Sequence, residues 1–183
     1  EILLNNVKRS IHEVIGEFNA VIFVPQMSRI LEGGPDERRR YLNMALSQAI
    51  PTYGRVLSEY SLALSQRNAL LKALNEQGEN WEELGVWDET IARLGSQIIL
   101  WRIQAIHEIE RFAAHIHDQL TRSKEVLRLA YHPAFDPLTH PDDQLGLGMN
   151  TPIDRTGLTL DDIREGYLER LSRVRNDEIA RGV

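Results

Sequence analysis

Two arginine features stand out among the residues whose chemistry could serve a function. One is the run Arg38-Arg39-Arg40, and the other is Arg67, set alone inside a long apolar pattern. A guanidinium grips phosphate or carboxylate through a planar fork of donors. Successive helical residues project about 100° apart, so the three arginines of the run fan out and cannot all hold one phosphate. The run reads either as a contact with phosphate or a partner's acidic groups, or as a solvated helix face pairing with Glu32, Asp36 and Glu37. The residues alone favour the solvated face, with at least one arginine pairing internally or laying its stem on the core. Arg67 stands between Leu64 and Leu71, where a helical seam calls for an apolar side chain. A polar seam residue can fix register. It can also point outward from a rotated helix, or pair with an acid across the helices.

Other chemistries find little support. His107, His115 and His117 are spaced by eight and two, whereas metal ligands on one helix need spacings of three or four. His132 and His140 lie near Asp142 and Asp143 in a loop, and no metal ligand is assigned there. Nothing resembles the GxSxG turn of a serine nucleophile. The paired acids Glu82-Glu83 and Asp161-Asp162 fall at helix starts, where the macrodipole accounts for them. The phosphate-cradling pattern GxxxxGK[ST] is absent, and no aliphatic run ends in Asp or Asp-Glu. No catalytic residue is assigned.

Composition narrows the class further. The 183 residues suit one domain, or one with an appendage, and carry a formal charge of −6. A free-standing nucleic-acid binder is usually basic, so strong DNA binding by this chain alone is not expected. With no cysteine, disulfides, thiolate catalysis and Cys-based zinc sites are excluded, and a cytoplasmic location is consistent. No apolar stretch reaches the ~18–20 residues of a membrane span. The chain begins without Met, and Ile2-Leu3-Leu4 reads as a strand already under way. A piece of a longer protein is therefore expected.

The elements that would position these residues are mainly helical. Residues 1–32 read as strand and turn, with Asn5-Asn6 as a turn and a short helical turn from Ser10 to Gly16. The apolar run Asn19–Pro25 predicts a buried strand belonging to the edge of a larger sheet. Gly33-Gly34-Pro35 leads into a helix to about Gln48, and Pro51 breaks it. A helix from Thr52 to about Glu76 carries the seam Tyr53, Leu57, Tyr60, Leu64, Leu71 and Leu74. After a turn at Gly78 and Asn80, a second helix from about Asp88 to Thr121 carries Ile91, Leu94, Ile98, Trp101, Ala105, Ile109, Phe112 and Ile116. At ~1.5 Å per residue it spans about 50 Å, and Gly95 is its weak point at ~1 kcal/mol against alanine. The two should form an antiparallel arm over 52–121, within a helical lobe of residues 33–131. Alternation over Val126–Tyr131 predicts a strand. Residues 132–158 read as a loop, and 159–183 as a final helix capped by Thr159 and stopped by Gly182.

Several segments now stand in order: FNAVIFVPQ at 18–26, GGPDERRRYLNMALSQ at 33–48, LSQRNALLK at 64–72, VWDETIARLGSQII at 86–99, and RNDEIARG at 175–182. The series resembles the RecF family over nearly the whole chain. The resemblance implies an SMC- and ABC-like ATPase of bacterial recombinational repair. This chain would be its helical lobe, with a small β element from the edge of the ATPase core and without the P-loop, signature and acidic Mg²⁺ motifs. It implies ATP and Mg²⁺ as cofactors of the full-length protein and none in this segment. It further implies ATP-dependent homodimerisation, DNA at single-stranded/double-stranded gaps or junctions, and recombination-mediator proteins as partners, with no membrane. Gln26 would lie near the nucleotide, Arg38, Arg39, Arg40 and Arg67 would be candidates for DNA or dimer contact, and Asn43 stands where an aspartate is common. The alternative is a free-standing α-helical protein-interaction module.

Overall fold

The computed structural model describes residues 2–14, 17, 29–77, 82–138 and 153–182. The strand predicted at Asn19–Pro25, Gln26, the turn at Gly78–Asn80, and loop residues 139–152 lie outside them. The fold is mainly α with one small antiparallel sheet. It divides into two units, residues 1–58 and 59–183.

The first unit opens with a hairpin. β1 (Ile2–Leu4) pairs antiparallel with β2 (Val7–Arg9), Leu4 opposite Val7. The turn residues Asn5 and Asn6 both take positive φ, 51° and 62°. Asparagine tolerates that region, and the resulting turn matches strand twist. α1 (Ile11–Val14) is held at its start by Glu13, whose carboxylate accepts from the Ser10 N–H and hydroxyl. After α2 (Arg29–Glu32), α3 (Pro35–Ala49) begins on proline with Asp36 and Glu37 in its first turn, where the missing donor and the acidic charges are favourable. It buries Leu42 and Leu46, one turn apart. It ends at Ile50 in extended conformation, as the residue before Pro51 must be. α4 (Tyr53–Gln77) then begins on a fully buried tyrosine whose hydroxyl donates to Asn43 Oδ1 at 2.8 Å.

The second unit contains the rest of α4, α5 (Glu82–Thr121) and α6 (Leu160–Arg181). Their side chains meet in layers. Leu71 and Leu74 of α4 join Leu84 of α5 and Ile179 of α6. Ala63 joins Ile91 and Leu171, with Tyr60, Trp87 and Tyr167 around them. Farther along, Ile99 and Ile103 meet Ile163, Leu158 and Phe135. Rising numbers on α4 and α6 face falling numbers on α5, so α5 runs antiparallel to both. Asn75 of α4 ties down the far end of α6 by donating to the carbonyls of Ile179 and Ala180, at 3.1 and 2.8 Å.

The details depart from the sequence pattern in four places. Val56 and Ala63 are buried at 5% and 3% exposure, whereas Leu64 is exposed. The α4 seam is therefore rotated from Leu57 and Leu64 towards their neighbours. α5 starts at Glu82, six residues before the expected Asp88, because Glu82 and Glu83 suit its positive end. Its apolar stripe continues past Ile103, but Phe112, Ile116 and Leu120 are exposed. Residues 125–130 form no strand, because no neighbouring strand among the described residues supplies a ladder.

α6 approaches α5 at Gly95. A Cβ there would lie 2.6 Å from Tyr167 Cε1 and 3.1 Å from Tyr60 Cε2. The Tyr167 ring cannot easily yield. It stacks on Phe135 at 4.7 Å, and its hydroxyl shares a 2.8 Å hydrogen bond with that of Tyr60. Gly95→Ala should gain ~1 kcal/mol of helix propensity and lose about 1–3 kcal/mol to overpacking. Urea unfolding should show net destabilisation, and a stabilised variant would refute the close approach.

The start of α6 is fixed by a capping box between Thr159 and Asp162. The Thr159 hydroxyl and backbone N–H hold the Asp162 carboxyl below its ordinary value. A depressed folded-state value means the cap is fully effective above pH ~4 and is lost as pH falls through the lower folded value. Thr159→Ala should lower Tm at neutral pH and leave a smaller Tm difference from the parent at pH ~2. A difference that persists undiminished in acid would contradict this.

Candidate functional site

The apolar layers of the three helices are interrupted by one charged layer. Arg67 sits in the α4 seam, spaced four from both Ala63 and Leu71. Asp88 occupies the equivalent place on α5, between Leu84 and Ile91. Arg175 and Glu178 are three apart on α6 and so share a face. Arg67 Nε donates to Asp88 Oδ1 at 2.7 Å, and its second arm donates to Glu178 Oε2 at 2.8 Å. Arg175 donates to the remaining Asp88 oxygen at 2.7 Å. Arg67 and Asp88 are each 2% exposed, whereas Glu178 and Arg175 reach the edge.

Burial opposes the Arg67 charge, but the carboxylates of Glu178 and Asp88 outweigh it and hold its pKa above the usual value. The layer holds two cations and two anions, so it is formally neutral. Both Asp88 oxygens are engaged by guanidinium donors. Such a layer positions helices. Sliding α4 or α6 by one turn would bury unpaired charge, a far larger penalty than mismatching leucines. One layer away, burial and then the neighbouring Tyr60 push the Tyr167 hydroxyl far up, so it stays protonated.

The arginine run lies in the first unit, in the first turns of α3, and all three residues are exposed. Arg38 donates to the carbonyls of Gly33 and Ile30, at 2.8 and 3.4 Å, and so holds the loop ahead of α3. Arg39 pairs with Asp36. Arg40 has no ion-pair partner among the described residues. Arg67 belongs to the second unit and realises the pairing across helices. Gln26 lies outside the described residues. His117 approaches Glu125 at 3.6 Å, and His115 contacts Gln119 at 3.1 Å. Among the described residues no three His, Asp or Glu side chains are grouped to hold a metal.

Sequence reasoning missed Asp88, Arg175 and Glu178. The signal was present for Asp88, an acid at helical spacing between Leu84 and Ile91. It was hidden by starting the helix at Asp88 itself. A second buried pair, Arg155 with Asp136, links the chain after α5 to the chain before α6. Beside it, a cleft of about 520 Å³ opens over α5.

No family model matches the chain. Curated proteins named DNA replication and repair protein RecF do. The protein from Heliobacterium modesticaldum is 39% identical over 140 residues, 76% of this chain and 37% of its own length. Those of Bacillus cytotoxicus and Bacillus subtilis are 34% and 30% identical, each over 96% of this chain and 42% and 43% of their own lengths. The chain thus spans about two-fifths of the curated relatives it matches. A solved structure of the recombination mediator protein RecF-ATPrS in the RecFOR pathway superposes with a TM-score of 0.77 at 25% identity, over 96% of this chain and 42% of that one. A RecF-ATP structure gives 0.69 at 27%, over 90% and 39%.

Removing Arg67 would leave Asp88 with one partner and Glu178 with none inside the bundle. Arg67→Ala should therefore cost about 3–5 kcal/mol of unfolding free energy. Arg175→Ala should cost about 1–3 kcal/mol, since Asp88 keeps Arg67. A double-mutant cycle on Arg67 and Asp88 should show strong coupling. A cost under ~1 kcal/mol for Arg67→Ala would mean the layer is solvated.

Proposed function

Because the chain belongs to the RecF family of DNA replication and repair proteins, we propose that it is the helical lobe of a RecF ATPase. In this reading it contributes surfaces for ATP-dependent dimerisation and for DNA at gaps or junctions, and performs no catalysis itself. The observation that carries the reading is the fold correspondence. Nearly all of this chain maps onto about two-fifths of a RecF-ATPrS structure. ATP and Mg²⁺ are assigned to the longer protein. The sequence has no phosphate-cradling loop, and within this chain only Gln26 is assigned towards the nucleotide. Recombination mediators of the RecFOR pathway are the assigned protein partners, and no described helix is long and apolar enough to cross a membrane.

The arginines take different parts. Arg38 shapes the loop before α3, and Arg39 is shared with Asp36. Arg40 is exposed and unpaired among the described residues, and is the best placed to meet a phosphate or a partner's carboxylate. Arg67 supports the same surfaces indirectly, by holding α4, α5 and α6 in register. The charge of −6 supports DNA contact made in the assembled protein, not by this chain alone.

In the longer RecF protein, Arg40→Ala should leave Tm unchanged, weaken binding to a gapped duplex, and reduce the salt slope of log K by about 1. The 183-residue chain by itself should bind the same duplex weakly at physiological salt. Tight binding by the isolated chain, or an unchanged salt slope in the Arg40 variant, would count against the assignment.

A further inference from the structure

We propose that the cleft between α4 and α6 is a docking site for a short acidic segment of a partner protein, which places its carboxylates on Arg170 and Arg181. The inference deepens the reading of the chain as the helical lobe of a RecF protein with protein partners, and rests on it. The cleft lies within the second unit and has a volume of about 540 Å³. Leu64 of α4, Leu171 and Val174 of α6, and Phe135 give it apolar walls, and the buried Ile91 of α5 lies at its base. Arg170, Asp177 and Arg181 also line it, at steps of seven and four along α6, and so share one face of that helix. All three are exposed, and none has a hydrogen bond or ion pair among the described residues. Arg67 and Glu178 reach the same cleft but are already matched to each other.

The charge pattern of α6 points to the chemistry of the occupant. Its other arginines are paired, Arg164 with Asp161, Arg173 with Glu169 and Arg175 with Asp88. The two left without an acid among the described residues are the two that line the cleft. The unmatched charges there are two cations against one anion, so the cleft is locally positive in a chain whose formal charge is −6. A carboxylate meets a guanidinium through two parallel hydrogen bonds. Arg170 and Arg181 are separated by roughly 16 Å of helix, and the apolar walls between them suit an apolar side chain set between two acids. A nucleic-acid strand fits less well. It carries a phosphate every ~3.4 Å and would run several of them past Asp177 and Glu178, whose charges repel it.

Fluorescence anisotropy with a labelled peptide of alternating glutamate and leucine tests the proposal, with the longer RecF protein as the binder. The peptide should bind, and its glutamine counterpart should bind at least ~10-fold more weakly. Arg170→Glu combined with Arg181→Glu should weaken binding at least ~10-fold at unchanged Tm, because both side chains are exposed. Asp177→Asn should tighten it by about 2–5-fold, a gain that a purely structural role for this face would not produce. Equal binding of the glutamine peptide, or binding that none of these substitutions moves, would overturn the proposal. So would a single-stranded oligonucleotide that displaces the peptide and itself loses binding in the double variant, since the cleft would then belong to phosphate. Binding by the 183-residue chain but not by the longer protein would mean that RecF covers the cleft itself, and no binding by either would mean no docking site; both outcomes overturn it. ATP binding by the longer protein is measured alongside. If ATP binds but the peptide does not, the docking proposal alone fails. If ATP does not bind, the ATPase reading fails.

Discussion

The pairing of Arg67 with Asp88 is the constraint around which the second unit is arranged. Each helix of that unit contributes to one charged layer, which lies between apolar layers on both sides. Apolar layers alone tolerate sliding, since leucine meets leucine in more than one register. A buried carboxylate with two committed oxygens does not. The neighbouring features then follow in sequence. Once Asp88 is fixed opposite Arg67, Ile91 and Leu84 fall beside Ala63 and Leu71. Gly95 falls beside Tyr60 and Tyr167, where only glycine leaves room for the two rings.

All four residues of that layer stand in segments through which the chain resembles the RecF family. Arg67 is in LSQRNALLK, Asp88 in VWDETIARLGSQII, and Arg175 and Glu178 in RNDEIARG. These four polar residues are thus spent on internal geometry. This changes how the polar signals of such a lobe are to be read. Arg67, a candidate for DNA or dimer contact by resemblance, is 2% exposed and paired with acids of the neighbouring helices.

The helical layout was largely legible in the residues, because Pro35, Pro51, Thr159 and Gly182 punctuate it and the apolar spacing between them is regular. The seam of α4 was read one step off. Leu64 is larger than Ala63, but it is Ala63 that packs with Ile91 and Leu171 beside the Tyr60 and Tyr167 rings. Side-chain size on one helix cannot reveal what the facing helix needs. The strand pattern at 126–131 was likewise real as an alternation and absent as a ladder. Alternation reflects packing on α5, whereas a ladder depends on another segment. The charged layer escaped sequence reading for a related reason. Asp88 and Glu178 are 21 and 111 residues from Arg67, and Arg175 is 87 from Asp88, so no local pattern joins them.

The distribution of burial along α5 bears on what such a lobe can do. Its first half is enclosed by α4 and α6, with Leu84, Ile91 and Leu94 nearly inaccessible. Its second half keeps the same apolar periodicity but carries Phe112, Ile116 and Leu120 in the open. Forty residues of helix at ~1.5 Å each extend about 60 Å, and an uninterrupted helix transmits displacement without absorbing it at a hinge. A rigid base locked by buried charge, with an exposed apolar far half, is suited to carrying contacts from one place to another. If the base could slip, the position of one end of α5 would not fix that of the other, and the charged layer removes that freedom.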